Sequence, residues 1–132
     1  MNKVDVQNIV KNIYPLIQSD YGVSKFNGQP PKVELYKSLV GRLSGVDENI
    51  GDPASGQYDR DDNTIYVYYP HVTGVRDLIG TLLHEYRHYL QSPSWMKRYY
   101  DMGYEYDTHP YEIEATKEES NWIKFFKQIC YE

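Results

Sequence analysis

The sequence predicts a small α+β domain, and three observations lead there. Apolar residues recur at helical spacing near the start (Val6, Ile9, Val10, Ile13, Leu16, Ile17) and again from Val75 through Leu78, Ile79, Leu82, Leu83, Tyr86, Tyr89 and Leu90. Residues 32–37 alternate as a strand does. Two further short runs, 56–60 and 63–69, flank a polar turn, Asp61-Asp62-Asn63, and read as a hairpin.

The first helix covers 4–18, with Pro15 expected to kink or end it. Residues 22–31 are a loop by composition, 32–37 a strand, and the glycine-rich stretch 41–56 a long loop. Asp59, Asp61 and Asn63 have calcium-loop spacing, but Thr64 stands where that loop needs glycine and Pro70 where it needs glutamate, so a turn is the reading. Thr73 caps a helix running to about Gln91, which Pro93 ends. Residues 94–108 read as aromatic and irregular. Pro110 then opens a last helix towards Cys130. The order is helix, three strands, helix, loop, helix, in one domain of 132 residues.

Composition bounds the function. The net charge of −5 and the lack of a lysine- or arginine-rich stripe argue against a nucleic-acid partner. No apolar run approaches membrane-spanning length and no signal peptide opens the chain, so the expectation is a cytoplasmic protein with no membrane partner. Cys130, the only cysteine, can form neither an internal disulfide nor a thiolate zinc ribbon. Most of the fifteen tyrosines read as half-buried structural residues, with a few left to line a cleft.

The chemistry lies in His84-Glu85-Tyr86-Arg87-His88, a His-Glu-x-x-His pattern on a predicted helix. Histidines four apart lie one above the other on a helix face and can reach one zinc ion at ~2.0–2.1 Å. Glu85, one position on, flanks the ion and serves as general base towards a metal-activated water. At ~100° per residue His84 and His88 fall opposite the apolar stripe, facing solvent or a cleft rather than the core. A catalytic zinc needs a third protein ligand. Gln91 and Ser94 stand where a metzincin would have Gly and His, which excludes that class. On the last helix Tyr111, Ala115, Trp122, Ile123, Phe126 and Ile129 share a face. Glu112 lies on its inward edge and Glu114 nearer the polar side, so Glu112 is the expected ligand. Glu119, also inward, is a weaker rival for the ligand role and a better candidate for pairing with Arg87.

His84 to Gln91 (HEYRHYLQ) and Tyr106 to Ala115 (YDTHPYEIEA) resemble the gluzincin metallopeptidases, in particular their minimal single-domain members, some of them phage-encoded. The resemblance implies a zincin-like domain with an N-terminal helix, about three strands in an antiparallel or mixed sheet, a zinc helix and a glutamate helix. It implies zinc on His84, His88 and Glu112, Glu85 as base, and peptide or protein substrates, with host cytoplasm as the location for a phage protein. It also implies an edge strand at 64–69 as the rim of the cleft, which puts Tyr66 and Tyr68 at the substrate. Thr116 stands where relatives carry an Asp or Asn that orients a zinc histidine, and can do so only more weakly. Tyr106, His109 and Tyr111 are all candidates to stabilise an oxyanion, and the sequence does not choose among them. Two alternatives remain open: a zinc-bearing regulatory or phage structural module that cuts nothing, and a SprT-like peptidase with His109 as third ligand. A shallow cleft would further suit a latent enzyme, covered by residues 95–106 or by the tail at 127–132. The sequence leaves the oligomeric state open.

Overall fold

A computed structural model describes residues 1–51 and 53–130, without the side chains of Asp107 and Cys130. Helix α1 (Lys3–Tyr21) starts where the Asn2 side chain accepts the Asp5 amide at 2.8 Å. It runs through Pro15 without ending. Ile13 and Ile17 are fully buried on either side of the proline, and their burial offsets the one lost backbone bond.

Strand β1 (Lys32–Tyr36) is followed by a short helix α2 (Leu39–Ser44) inside the expected loop. Ser38 begins α2 by accepting the Gly41 amide and also receives the Ile50 amide, so one hydroxyl organises the segment. Strands β2 (Gly56–Asp59) and β3 (Thr64–Tyr68) form the predicted hairpin. At its turn Asn63 takes a positive φ of 51°, a conformation asparagine tolerates. The sheet is mixed, in the order β1-β3-β2, with β1 parallel to β3 and β2 antiparallel to it.

That order corrects one expectation. Strand β3 is central, buried at every position, and the edge nearest the predicted metal site is β2. Side chains alternate across a sheet. Ile65 and Val67 join the core with α1 and the helix α3 (Val75–Leu90), so Tyr66 and Tyr68 point to the opposite face. There the Arg42 guanidinium lies 3.8 Å from the centre of the Tyr66 ring and donates to the Tyr68 hydroxyl at 3.1 Å. Both tyrosines are structural on this face and do not line the cleft.

Gly74 rather than Thr73 occupies the N-cap of α3. The Asp77 carboxylate reaches back to the Thr73 amide at 2.9 Å. Beyond Pro93 the chain forms another helix, α4 (Pro93–Asp101), in place of the expected irregular structure. Proline suits a first helical turn, and Trp95 and Tyr99, one turn apart, pack edge to face. The last helical region divides into α5 (Pro110–Glu118), a single tight turn at Glu119–Asn121, and α6 (Trp122–Cys130). Phe125 of α6 closes the core against α1 and α3. No helix among the described residues is long and apolar enough to cross a membrane.

Gly56 is where the sheet meets α3. A Cβ there would lie 2.5 Å from Thr81 Cγ2 and 3.1 Å from the Tyr66 carbonyl. Gly56→Ala is therefore expected to push β2 away from α3 and to cost ~1–3 kcal/mol, read by denaturant unfolding. An unchanged midpoint would mean that the strand does not depend on this close approach.

Candidate metal centre

The site is built where α3 faces α5. His84 and His88 stand one helical turn apart on α3, their rings edge to face with centroids 5.0 Å apart. Both aim Nε2 at a single carboxylate. Glu112 Oε2 lies 3.0 Å from His84 Nε2, and Glu112 Oε1 lies 2.7 Å from His88 Nε2. Glu112 sits in the first turn of α5, which starts at Pro110 and is held inward by buried Tyr111 and Ala115. The glutamate on the inward edge of the helix is thus the one that meets both imidazoles. Glu114 is turned aside, 3.5 Å from Arg87 Nε.

The other ring nitrogens are also held. His84 Nδ1 meets Glu119 Oε2 at 3.0 Å, and His88 Nδ1 meets Gln91 Oε1 at 2.7 Å. Gln91 is itself fixed, donating from Nε2 to the Tyr111 carbonyl at 3.0 Å and to Glu114 at 3.1 Å. Partners of this kind set ring orientation and tautomer, the support a metal-bound histidine usually has. The family resemblance assigns this task to Thr116, and helical counting pairs Glu119 with Arg87. Arg87 instead pairs with Glu118 at 2.5 Å and with Glu114. The difference has a physical source. Glu119 lies inward with helical backbone at the end of α5, as the count has it. The packing of α3 on α5 decides that it meets His84 and leaves Arg87 to Glu118. Gln91, the residue that excludes one peptidase class, carries no sequence signal for its actual role.

Glu85 is buried, and its Oε1 accepts the backbone amide of Tyr58 on β2 at 3.0 Å. Donor atoms of His84, Glu85 and His88, one from each, fall within 4.8 Å of one another. Glu85 is nevertheless tied to the strand, while Glu112 directly touches both Nε2 atoms. The geometry therefore favours His84, His88 and Glu112 as the ligand set, with Glu85 beside it. Ligands ~2.0–2.1 Å from a tetrahedral zinc are ~3.3 Å apart, so the observed spacing needs only a small outward shift to admit an ion.

The electrostatics agree with that donor set. Burial would lower the pKa of His84, but Glu112, Glu85 and Glu119 outweigh it and raise it from 6.5 to about 9. His88 is raised in the same way, burial opposing and Glu112 and Glu85 prevailing. Glu112, despite burial, is held well below the usual carboxylate range by the two imidazoles. Burial pushes Glu85 up, against the pull of His88 and His84.

The three oxyanion candidates separate clearly. His109 is buried, accepts the Tyr111 amide through Nδ1 and meets the Met96 carbonyl through Nε2, so it ties α4 to α5 and lies outside the ligand set. Its ring stacks on Tyr111 at 5.3 Å, and that tyrosine is buried with it. This removes the geometry that a third-histidine ligand requires. Tyr106 is different: its phenol is near enough to Glu112 to feel the carboxylate's charge, and it borders two grooves that Glu85 also lines. Of the two segments expected to cover the metal, residues 95–106 come beside the His84–Glu85–His88 cluster at Tyr106. Helix α6 packs on α1 and α3, and Glu132 lies outside the described residues.

Replacing Gln91 by Ala removes the brace on His88 and should weaken zinc binding ~10–100-fold, measured by chelator competition. A second expectation concerns pH. A raised histidine pKa stabilises the fold fully below about pH 6.5, and that contribution is lost as pH rises through about 9. Zinc requires the unprotonated ring, so its affinity should increase across the same interval. A pH-independent affinity would show that His84 is not a ligand. Comparison of the chain with protein-family models, curated proteins and solved structures finds no match, so the functional reading rests on this geometry.

Proposed function

We infer that this protein is a zinc-dependent metallopeptidase. The observation that carries the reading is the Glu112 carboxylate set between the Nε2 atoms of His84 and His88, with a buried carboxylate, Glu85, alongside. His84, His88 and Glu112 would hold the ion. When bound, zinc supplies Lewis acidity, which polarises a carbonyl and makes water more acidic.

The chain's own groups account for the remaining work. Glu85 accepts the proton of the attacking water. Burial raises its pKa, which makes it a stronger proton acceptor, and the Tyr58 amide keeps one oxygen fixed. The edge of β2 borders the same cleft and offers main-chain groups to an extended peptide. Tyr106 donates to the developing oxyanion. Burial and the neighbouring Glu112 raise its pKa, which keeps the phenol in its donor form.

Elemental analysis of dialysed protein tests the metal, and cleavage of a mixed peptide library tests the chemistry. Glu85→Gln should keep zinc and fold while abolishing cleavage, and Glu112→Ala should lose zinc. Protein that takes up no zinc would remove the reading altogether. Zinc uptake with no cleavage by the native chain would favour a non-catalytic zinc module instead. Tyr106→Phe is expected to lower kcat ~100–1000-fold with zinc content and KM little changed. A proportional rise in KM would assign Tyr106 to substrate binding.

A further inference from the structure

Arg60 directly succeeds β2 in the chain and borders the same cleft, a space of about 380 Å³, as Glu85, His88 and Glu112. Its Nη2 donates to the His88 carbonyl at 2.7 Å, which anchors the guanidinium at the C-terminal end of α3. Its Nε is buried with no hydrogen-bond partner. No ion pair among the described residues includes Arg60. The nearby carboxylates are committed elsewhere: Glu112 to two imidazoles and Glu85 to the Tyr58 amide. Arg87, by contrast, is matched by two glutamates.

A half-buried guanidinium with one backbone acceptor and one orphaned N–H retains donors for a planar anion. Carboxylates satisfy such a fork in a bidentate manner. Arg60 lies over the Tyr58 ring, its guanidinium carbon 5.5 Å from the centroid, and Met96, Tyr100 and Tyr106 complete the apolar walls. The cleft therefore combines a cation with an aromatic lining beside the proposed scissile position. An overall charge of −5 would repel acidic ligands from most of the surface, which gives a local cation more weight in selecting them.

Resting on the peptidase reading above, we propose that Arg60 selects substrates bearing a carboxylate close to the scissile bond. That carboxylate belongs either to an acidic side chain or to the peptide's own C-terminus. The remainder of the ligand is accommodated by the aromatic walls of the cleft.

Binding tests this without requiring turnover. The probes are N-acetyl-tetraalanine amide, its free acid, and amides with one glutamate placed at each position in turn. They are titrated by calorimetry into Glu85→Gln protein, zinc-loaded and metal-stripped. At least one carboxylate probe should bind about tenfold or more tightly than the neutral amide, with or without metal. Preference for the free acid identifies the terminal carboxylate, and preference for one glutamate position identifies an acidic side chain. Arg60→Gln should abolish the preference and Arg60→Lys should retain part of it. Thermal melts verify that both variants fold, and the selectivity of the parent protein stands without them. Equal binding of the neutral amide, a preference that vanishes with the metal, or one that survives Arg60→Gln would overturn the proposal. Failure of the peptidase reading is visible separately, as absent zinc uptake or absent cleavage.

Discussion

The placement of Glu112 between two imidazoles is the constraint on which the rest of the arrangement depends. It joins α3 to α5 through polar groups. Two histidines and a glutamate brought out of water are costly unless they satisfy one another. Removing one member of a buried ionic group costs ~3–5 kcal/mol. The surrounding bonds reduce the cost of burial: Glu119 and Gln91 take the outer ring nitrogens, and the Tyr58 amide takes Glu85. A polar cluster satisfied in this way fixes the spacing of two helices and the orientation of its side chains together.

Helix α3 carries this cluster because it divides its surface in two. One face supplies Leu78, Ile79, Leu82, Leu83, Tyr86 and Tyr89 to the core with α1, β3 and α6. The other presents His84, Glu85 and His88. A helix held so firmly on its apolar side gives its polar side little freedom, and preorganised donors are what a metal or a transition state rewards. Tyrosine hydroxyls extend the same rigidity to the loops. Tyr14 donates to the Pro31 carbonyl, Tyr86 to that of Gly22 and Tyr89 to that of Asn27. These bonds give three of the fifteen tyrosines a reason, since a ring can fill the core while its hydroxyl satisfies a loop carbonyl.

The contrast between Arg87 and Arg60 bears on what the cleft does. Arg87 is neutralised by Glu118 and Glu114 and links α3 to α5. Arg60 borders the cleft with no carboxylate partner among the described residues. Both guanidiniums contact α3 or belong to it, but the charge of Arg87 is matched by carboxylates while that of Arg60 meets only a backbone carbonyl and an aromatic ring.

The sequence by itself determined the parts that depend on local periodicity. The α+β class, the hairpin, α1, α3 and the Pro110 helix were legible because side chains repeat every 3.6 or every 2 residues whatever surrounds them. The shared face of His84 and His88 and the inward position of Glu112 came from the same counting. The order of the strands was not legible, although Ile65-Tyr66-Val67-Tyr68, an uninterrupted apolar and aromatic run, carried a signal for a central strand. Only the tertiary structure decided that β2 borders the site, that Glu119 and Gln91 brace the histidines and that Tyr106 comes near Glu112. Glu119 and His84 are 35 positions apart, and Gln91 is aimed at His88 by the Tyr111 carbonyl, 20 positions on. Periodicity within one helix does not extend over such separations, and the fold alone sets which of several equally polar neighbours comes within bonding distance.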